Sequence, residues 1–327
     1  FVTHFYSEGW FLLLSKFMRT LFGKIPFSVG DCFYILLLII VLKKSWNTRK
    51  TWKKEWKSNL LKVTSFFSIF YFLFHLLWAI NYYREPLSGT MNINKAYSTA
   101  ELLQFTNKLI VKTNAVHFQI TKDARQKVIN PYSPNEILRM TQNGYDQLSK
   151  IYPFFDYKTP SIKKSIFRFP LTYMGFGGYL NPFTNEAQVN DKVPLYGFPV
   201  VVCHEMAHQI GYASESEANF IGFLSASKND DLYFQYAAYS GALRSCLNQI
   251  EIKEKTQLNH FKSKINPGIV ANYKESELFW EHYQTPIASG FNYFYDHFLK
   301  MNQQKEGIES YSSYIDLMVN FYKNKDF

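Results

Sequence analysis

Residues 201–220 read VVCHEMAHQIGYASESEANF. Pro199, just ahead, suits the first turn of a helix and Gly211 suits its C-terminal cap, so the spacing predicts one helix between them. On that helix His204 and His208 are four residues apart and project from the same face. Their neighbours Val200, Val201, Val202, Ala207 and Ile210 are apolar. Two histidines and Glu205 are costly to bury in such surroundings without a partner, and a metal ion is the natural one. Spaced H-E-x-x-H, the two imidazoles can share a zinc ion (Zn2+), and Glu205 is set to take a proton from a water that the ion polarises. The bland alternative is a surface helix whose polar residues are unrelated.

Two histidines do not complete such a site; a third protein ligand is expected. The extended pattern H-E-x-x-H-x-x-G-x-x-H finds its glycine in Gly211 but meets Ser214 where the third histidine belongs. The other arrangement draws a glutamate from the following helix, and Glu215-Ser-Glu-Ala218-Asn219 fits it. Glu215 is then the third ligand, Ala218 lets the two helices approach, and Asn219, one turn on, can hydrogen-bond a ligand histidine. Glu217 competes for the ligand role. Ser214-x-x-Glu217 is also a capping box, however, which would use Glu217 to start the second helix. Six residues separate His208 from Glu215, so the turn must be tight.

Away from this stretch, the net charge of +10 is concentrated. Lys43, Lys44, Arg49, Lys50, Lys53, Lys54 and Lys57 stand against one acid, Glu55, between positions 43 and 57. A nucleic-acid surface would spread its basic residues over a folded face, so no nucleic-acid partner is expected. The flanks of the basic run are apolar: FSVGDCFYILLLIIVL over 27–42 and LLKVTSFFSIFYFLFHLLWAI over 60–80. Both are expected to be membrane helices, with the lipid bilayer as partner; the first is shorter and carries Asp31. A pair of buried core helices is the alternative. Trp46, Trp52, Trp56 and Trp78 near the predicted ends suit an interface, and the basic loop 43–59 is expected on the cytoplasmic side. Residues 5–22 mix apolar residues with Lys16 and Arg19 and predict an interfacial helix. His75, inside the second span, has Asp31 as a conceivable partner. The chain begins with Phe rather than Met, which predicts an upstream segment; no cleavable signal peptide is visible. Cys32, Cys203 and Cys246 form neither a disulfide framework nor a C-x-x-C site.

Residues 1–84 thus make a membrane region, and 85–327 an extracytoplasmic domain. Capping boxes at Ser98/Glu101 and Ser133/Glu136 predict two helix starts. Between Ser165 and Asn190 the pattern changes to short strands joined by turns. The expected fold class is mainly α (α+β): N-terminal membrane helices, then a mostly helical domain with a small antiparallel sheet before the H-E-x-x-H helix. The segment 184–190 is expected as either a structural hairpin or an edge strand able to pair with an extended peptide. Candidate oxyanion donors are His282, Tyr283, Tyr293, Tyr295, His297 and Tyr311.

HEMAH followed by ESEAN resembles the gluzincin peptidases, in which H-E-x-x-H is paired with a downstream glutamate ligand. The whole chain, with its membrane helices, PFTNEAQVN and late GIESYSSYIDL, is similar to an uncharacterised bacterial family of membrane-anchored, zinc-peptidase-like proteins. The resemblance implies a zincin-like domain with a zinc metallopeptidase site acting on an extracytoplasmic protein or cell-wall peptide, at the bacterial cell membrane. The alternative is a non-catalytic envelope scaffold or binding module that keeps the fold. An intact Glu205 speaks for catalysis, because a purely structural zinc site needs no base.

Overall fold

The computed structural model describes residues 1–94, 96–305, 307 and 313–327. At the N-terminus Val2–Trp10 is wound as a π-helix and runs straight into α1 (Phe11–Gly23). The rod shows its polar stripe to the protein: Ser7, Ser15 and Arg19 are buried beside Tyr6 and Phe11, while Phe5, Leu13, Phe17 and Leu21 face outward. Arg19, read from sequence as part of an interfacial face, instead donates to Ser15 Oγ at 3.1 Å and Lys158 O at 2.6 Å.

The two apolar stretches form α2 (Val29–Thr48) and α3 (Trp56–Leu77). They overrun the expected basic loop, so Lys43, Lys44 and Lys57 are helical. One of them, α3, is long and apolar enough to cross a membrane, and its apolar window is not buried at all. Leu36, Leu38 and Leu42 on α2, like Phe67, Ile69 and Phe72 on α3, are exposed, which excludes the buried-core reading. Ser28 caps α2 by accepting from Asp31 N at 2.9 Å. Asp31 is not the partner of His75. It accepts from Ser165 Oγ, Ile166 N and the Tyr179 hydroxyl, whereas His75 Nδ1 lies 3.1 Å from Tyr71 O in its own helix.

After α3 come a 3-10 turn (Ala79–Tyr83) and the short α4 (Leu87–Thr90). The helices α5 (Thr99–Thr121) and α6 (Pro134–Ile151) both start in the expected capping boxes. The strands β1 (Ile162–Lys164), β2 (Gly178–Leu180) and β3 (Ala187–Val189) are separated by α7 (Arg168–Met174), a helix where the sequence suggested strands. The sheet order is β1-β3-β2. It is mixed rather than antiparallel: β1 runs parallel to β3, and β2 antiparallel to it. The reason is connectivity, since α7 provides the crossover that a parallel pair needs. Consequently β3 is the central, fully buried strand and β2 is an edge, so the segment 184–190 holds no open edge.

The remaining helices are α8 (Phe198–Gln209), α9 (Glu215–Lys228), α10 (Leu232–Lys253), α11 (Leu258–Lys262), α12 (Pro267–His282), α13 (Pro286–Met301) and α14 (Tyr314–Phe321). Pro199 opens α8 and Gly211, at φ +89°, follows its end as expected. Where α8 crosses α9, a Cβ on Gly222 would stand 3.1 Å from His204 N, so it is Gly222 that permits the closest approach under the motif. One apolar core joins α5, α6, α8, α9, α10 and α14. A second, smaller cluster (Tyr6, Phe11, Trp78, Ala79 and Ala213) ties the N-terminal rod and the end of α3 to the turn between α8 and α9.

Candidate functional site

Burial places the whole motif inside the protein. His204, Glu205, His208 and Glu215 are between 4% and 8% exposed. The helix α8 presents the two histidines on one face, and the turn 210–214 returns the chain so that Glu215, first residue of α9, meets them. His204 Nε2 and His208 Nε2 lie 3.1 Å apart. Glu215 Oε2 stands 3.1 Å from the first and 3.6 Å from the second. The longer separation is an ion-pair distance, not a hydrogen bond.

The other ring nitrogens fix the tautomers. His208 Nδ1 faces Tyr212 O at 2.7 Å, an atom that can only accept, so this nitrogen carries the proton. His204 Nδ1 faces Asn219 Oδ1 at 2.8 Å and, with the amide so oriented, is likewise N–H. Held this way, the rings turn both Nε2 atoms and a carboxylate oxygen toward one point. When the rings are neutral these are three acceptors, which repel in a buried place unless a proton or a metal cation lies between them. With bond lengths of about 2.0–2.1 Å, tetrahedral ligands are separated by about 3.3 Å, and the three distances bracket that value. The residues therefore fit a metal ion. Among the described residues this is the one group of three or more His, Cys, Asp or Glu so arranged.

Electrostatics follow from the same crowding. Burial pushes the Glu205 carboxyl up to about 7; His204 and His208 work against this, and the Glu215 charge adds to it. Burial alone would raise Glu215 too, but the two rings hold its carboxyl well below the usual carboxylate range. For His208 burial disfavours the charged ring, yet Glu215 and Glu205 outweigh it and raise the imidazole to about 9. Oε2 of Glu205 and of Glu215 are buried without a hydrogen-bond partner. Tyr295 Oη, from α13, donates to Glu215 Oε1 at 2.9 Å and leaves Oε2 to the cluster. Gly178 on β2 touches Glu205: a Cβ there would stand 2.7 Å from Glu205 Oε1.

The sequence-derived candidates divide clearly. His204, Glu205, His208, Glu215 and Asn219 are brought together; Glu217 is not in the cluster. Nor does Glu217 act as a capping-box acid, since Ser214 makes no side-chain cap. Its Oε1 instead accepts from Leu87 N at 2.6 Å, fixing the segment that enters from the N-terminal helices. Of the oxyanion candidates, Tyr295 alone lines the cavities beside the cluster among the described residues. Tyr293 is exposed, Tyr283 packs on Tyr173, and Tyr311 lies outside the described residues, as do residues 308–312 of GIESYSSYIDL. Trp78, Tyr82 and Gly178 were missed. The Trp78 ring meets His208 edge-on at 5.9 Å, and burial together with the Glu215 charge keeps the Tyr82 phenol neutral. Their only sequence signal is their position at the end of an apolar stretch and in G-F-G-G-Y, neither of which points to a site.

No curated protein and no solved structure matches the chain. Residues 6–319 match the family described as "Protein of unknown function (DUF3810)", and the chain belongs to that family.

Proposed function

We propose that the protein is a membrane-anchored zinc-dependent metallopeptidase that hydrolyses peptide bonds of an extracytoplasmic protein or cell-wall peptide. The observation that carries this reading is the convergence of His204 Nε2, His208 Nε2 and Glu215 Oε2, all within 4.8 Å of one another, beside the orphaned carboxylate of Glu205 and an open cavity. A purely structural site would be closed by a fourth protein ligand and would have no use for a buried base. His204, His208 and Glu215 would hold the ion, and Asn219, Tyr212 O and Tyr295 orient those three. When bound, zinc supplies a Lewis acid for the scissile carbonyl and lowers the pKa of water. Glu205 would accept the proton of the attacking water and return it to the leaving amine.

The edge strand β2 would align the peptide. Asn190 N donates to Gly177 O and Asn181 N to Glu186 O, so Gly177, Tyr179 and Asn181 turn their backbone groups to β3. By the alternation of an antiparallel ladder, Gly178 and Leu180 turn theirs outward, beside Glu205. The same reading puts α2 and α3 in the bilayer, the basic segment between them in the cytoplasm, and the catalytic residues outside. Metal analysis and a peptide-cleavage assay on the purified full chain test it. About one zinc per chain is expected, with Glu205→Gln keeping the zinc and losing hydrolysis by several orders of magnitude. A Glu205→Gln protein indistinguishable from wild type in cleavage would favour the scaffold reading instead.

A further inference from the structure

In sequence the H-E-x-x-H motif is far from the apolar helices; in the fold they share a wall. Phe183, at the tip of the β2–β3 hairpin, packs between them, with ring centroids 5.2 Å from Phe33 and 5.0 Å from Phe70. Phe70 lies seven residues before the end of α3, about 10 Å along its axis at ~1.5 Å per residue. The hairpin tip therefore reaches to a depth of about 10 Å along the helix that is apolar and exposed enough to lie in lipid. Trp78, the residue after α3, touches His208. The cluster is thus level with the end of that apolar helix, where a bilayer would meet water.

Two cavities flank the cluster there. One, of about 500 Å³, extends between the helix ends and is walled by Tyr34, Phe74, Trp78, Leu180 and Pro182. Apart from the cluster and Glu205, no charged side chain among the described residues lines it. The other, of about 370 Å³, meets the first at His204, Glu205 and Gly178 and is lined by Met174, Phe176 and Val201 as well as by Asn219 and Asn292. A peptide crossing the neck between them, where they share His204 and Glu205, has apolar walls on the α2–α3 side and, on the other, a mixed wall that offers the Asn219 and Asn292 amides.

We propose that the substrate is a membrane-anchored peptide, whose apolar end enters from between α2 and α3 and whose polar arm leaves past Asn219 and Asn292. This inference rests on the peptidase reading. Water is added across one peptide bond at the neck: its hydroxyl goes to the carbonyl carbon, its proton to the amine, and no redox partner is needed. A free soluble peptide makes no use of the apolar wall, whereas an anchored one brings its own apolar surface and is already held at the right level.

The test uses the full chain carrying Glu205→Gln, zinc-loaded, in lipid nanodiscs. Two fluorescent synthetic peptides share one polar arm, and one of them also carries a Leu/Ala membrane segment. Binding of each is measured to this protein and to the same protein with Leu180→Trp, which fills the apolar cavity. Comparing the two proteins in identical discs removes plain lipid partitioning. The anchored peptide should bind at least ~10-fold tighter than the arm alone, and Leu180→Trp should erase that difference. A photoreactive residue at Tyr34 should crosslink to the apolar segment. Equal affinity for both peptides, or a preference untouched by Leu180→Trp, overturns the inference. If the wild-type protein cuts the free arm as fast as the anchored peptide, the inference falls and the peptidase reading stands. A preserved preference with no hydrolysis by wild type does the reverse.

Discussion

Glu205→Gln should make the metal-free protein more stable at neutral and alkaline pH. In the folded chain burial carries this carboxyl from 4.5 to about 7, partly offset by His204 and His208 and reinforced by Glu215. The folded state therefore binds the Glu205 proton more tightly than the unfolded state does. Its contribution to stability is fully present below about pH 4.5 and is lost as pH rises through about 7. At about 1.4 kcal/mol per pH unit, the ionised form costs about 3 kcal/mol above pH 7. Glutamine has the same shape and no charge to bury, so the gain from the substitution should be under about 1 kcal/mol at pH 5 and approach about 3 kcal/mol at pH 8. The assay is equilibrium denaturation of chelator-treated wild type and variant across that range. The difference between the two curves must grow with pH, because only the wild type loses the Glu205 proton on unfolding there. A difference that is constant between pH 5 and 8, or a variant less stable at pH 8, would refute the buried, crowded carboxylate on which the assignment of Glu205 as base depends.

Glu215→Gln should weaken zinc binding by removing the charged ligand, and the His204→Ala/His208→Ala double variant should hold no zinc; elemental analysis after dialysis checks both. Glu217→Gln should keep its zinc and lose about 1 kcal/mol in a denaturant titration, because the bond from the Leu87 amide keeps an acceptor oxygen but loses its charge assistance. Tyr295→Phe and Asn219→Ala should each lower zinc affinity about 10–100-fold in a competition titration while leaving the helical circular dichroism unchanged, since they orient ligands without being ligands. Gly178→Ala should abolish cleavage without changing the zinc content, because a methyl there stands 2.6 Å from Gln188 O and 2.7 Å from Glu205 Oε1 and must displace one of them.

What could be read in the sequence was whatever depends on neighbours along the chain. The helix from Pro199 to Gly211, the two capping boxes and the tight turn before Glu215 are local patterns, each with its own stereochemical cause. Choosing Glu215 over Glu217 rested on the fit of Glu215-Ser-Glu-Ala218-Asn219 and on a capping box for Glu217 that does not form, and the geometry separates the two by what they touch: the rings in one case, the Leu87 amide in the other. What failed was pairing at a distance. The β1–β3 partnership depends on where α7 carries the chain, and a three-residue strand offers too little alternation to fix a register. Trp78 looked like an interfacial tryptophan at a helix end, and nothing along the chain says that its ring faces His208, 130 positions away. Tyr295, likewise, is one of 24 tyrosines until α13 folds back against Phe74 through Phe298.

The same kind of long-range contact ties the N-terminal helices to the candidate site. Gln209, next to His208, is completely buried, and its Nε2 donates to Ser161 O at 3.0 Å and Asn185 O at 2.6 Å while its Oε1 accepts from the Tyr157 hydroxyl. Ser15 of α1 then donates to the Gln209 carbonyl at 2.6 Å, taking up a backbone acceptor at the end of α8 that has no partner within the helix. On the other side of the turn Arg84 points its guanidinium at Ile210 O, 3.3 Å away, and stacks over the Tyr212 ring. Tyr212 is the residue whose carbonyl fixes the tautomer of His208. At the far end of the site Glu186, on the hairpin that carries β2 and β3, accepts from the first amides of α2. The bonds of Ser15, Arg84 and the first amides of α2 join residues before position 85 to the segments that set either a candidate ligand histidine or the edge strand beside Glu205. Geometry at a metal site is governed by tenths of an ångström, and here the supports that hold it are shared with the helices that carry the apolar outer surface. The site and the N-terminal helices therefore form one mechanical unit, and the orientation of the cluster toward the end of α3 is a property of the fold.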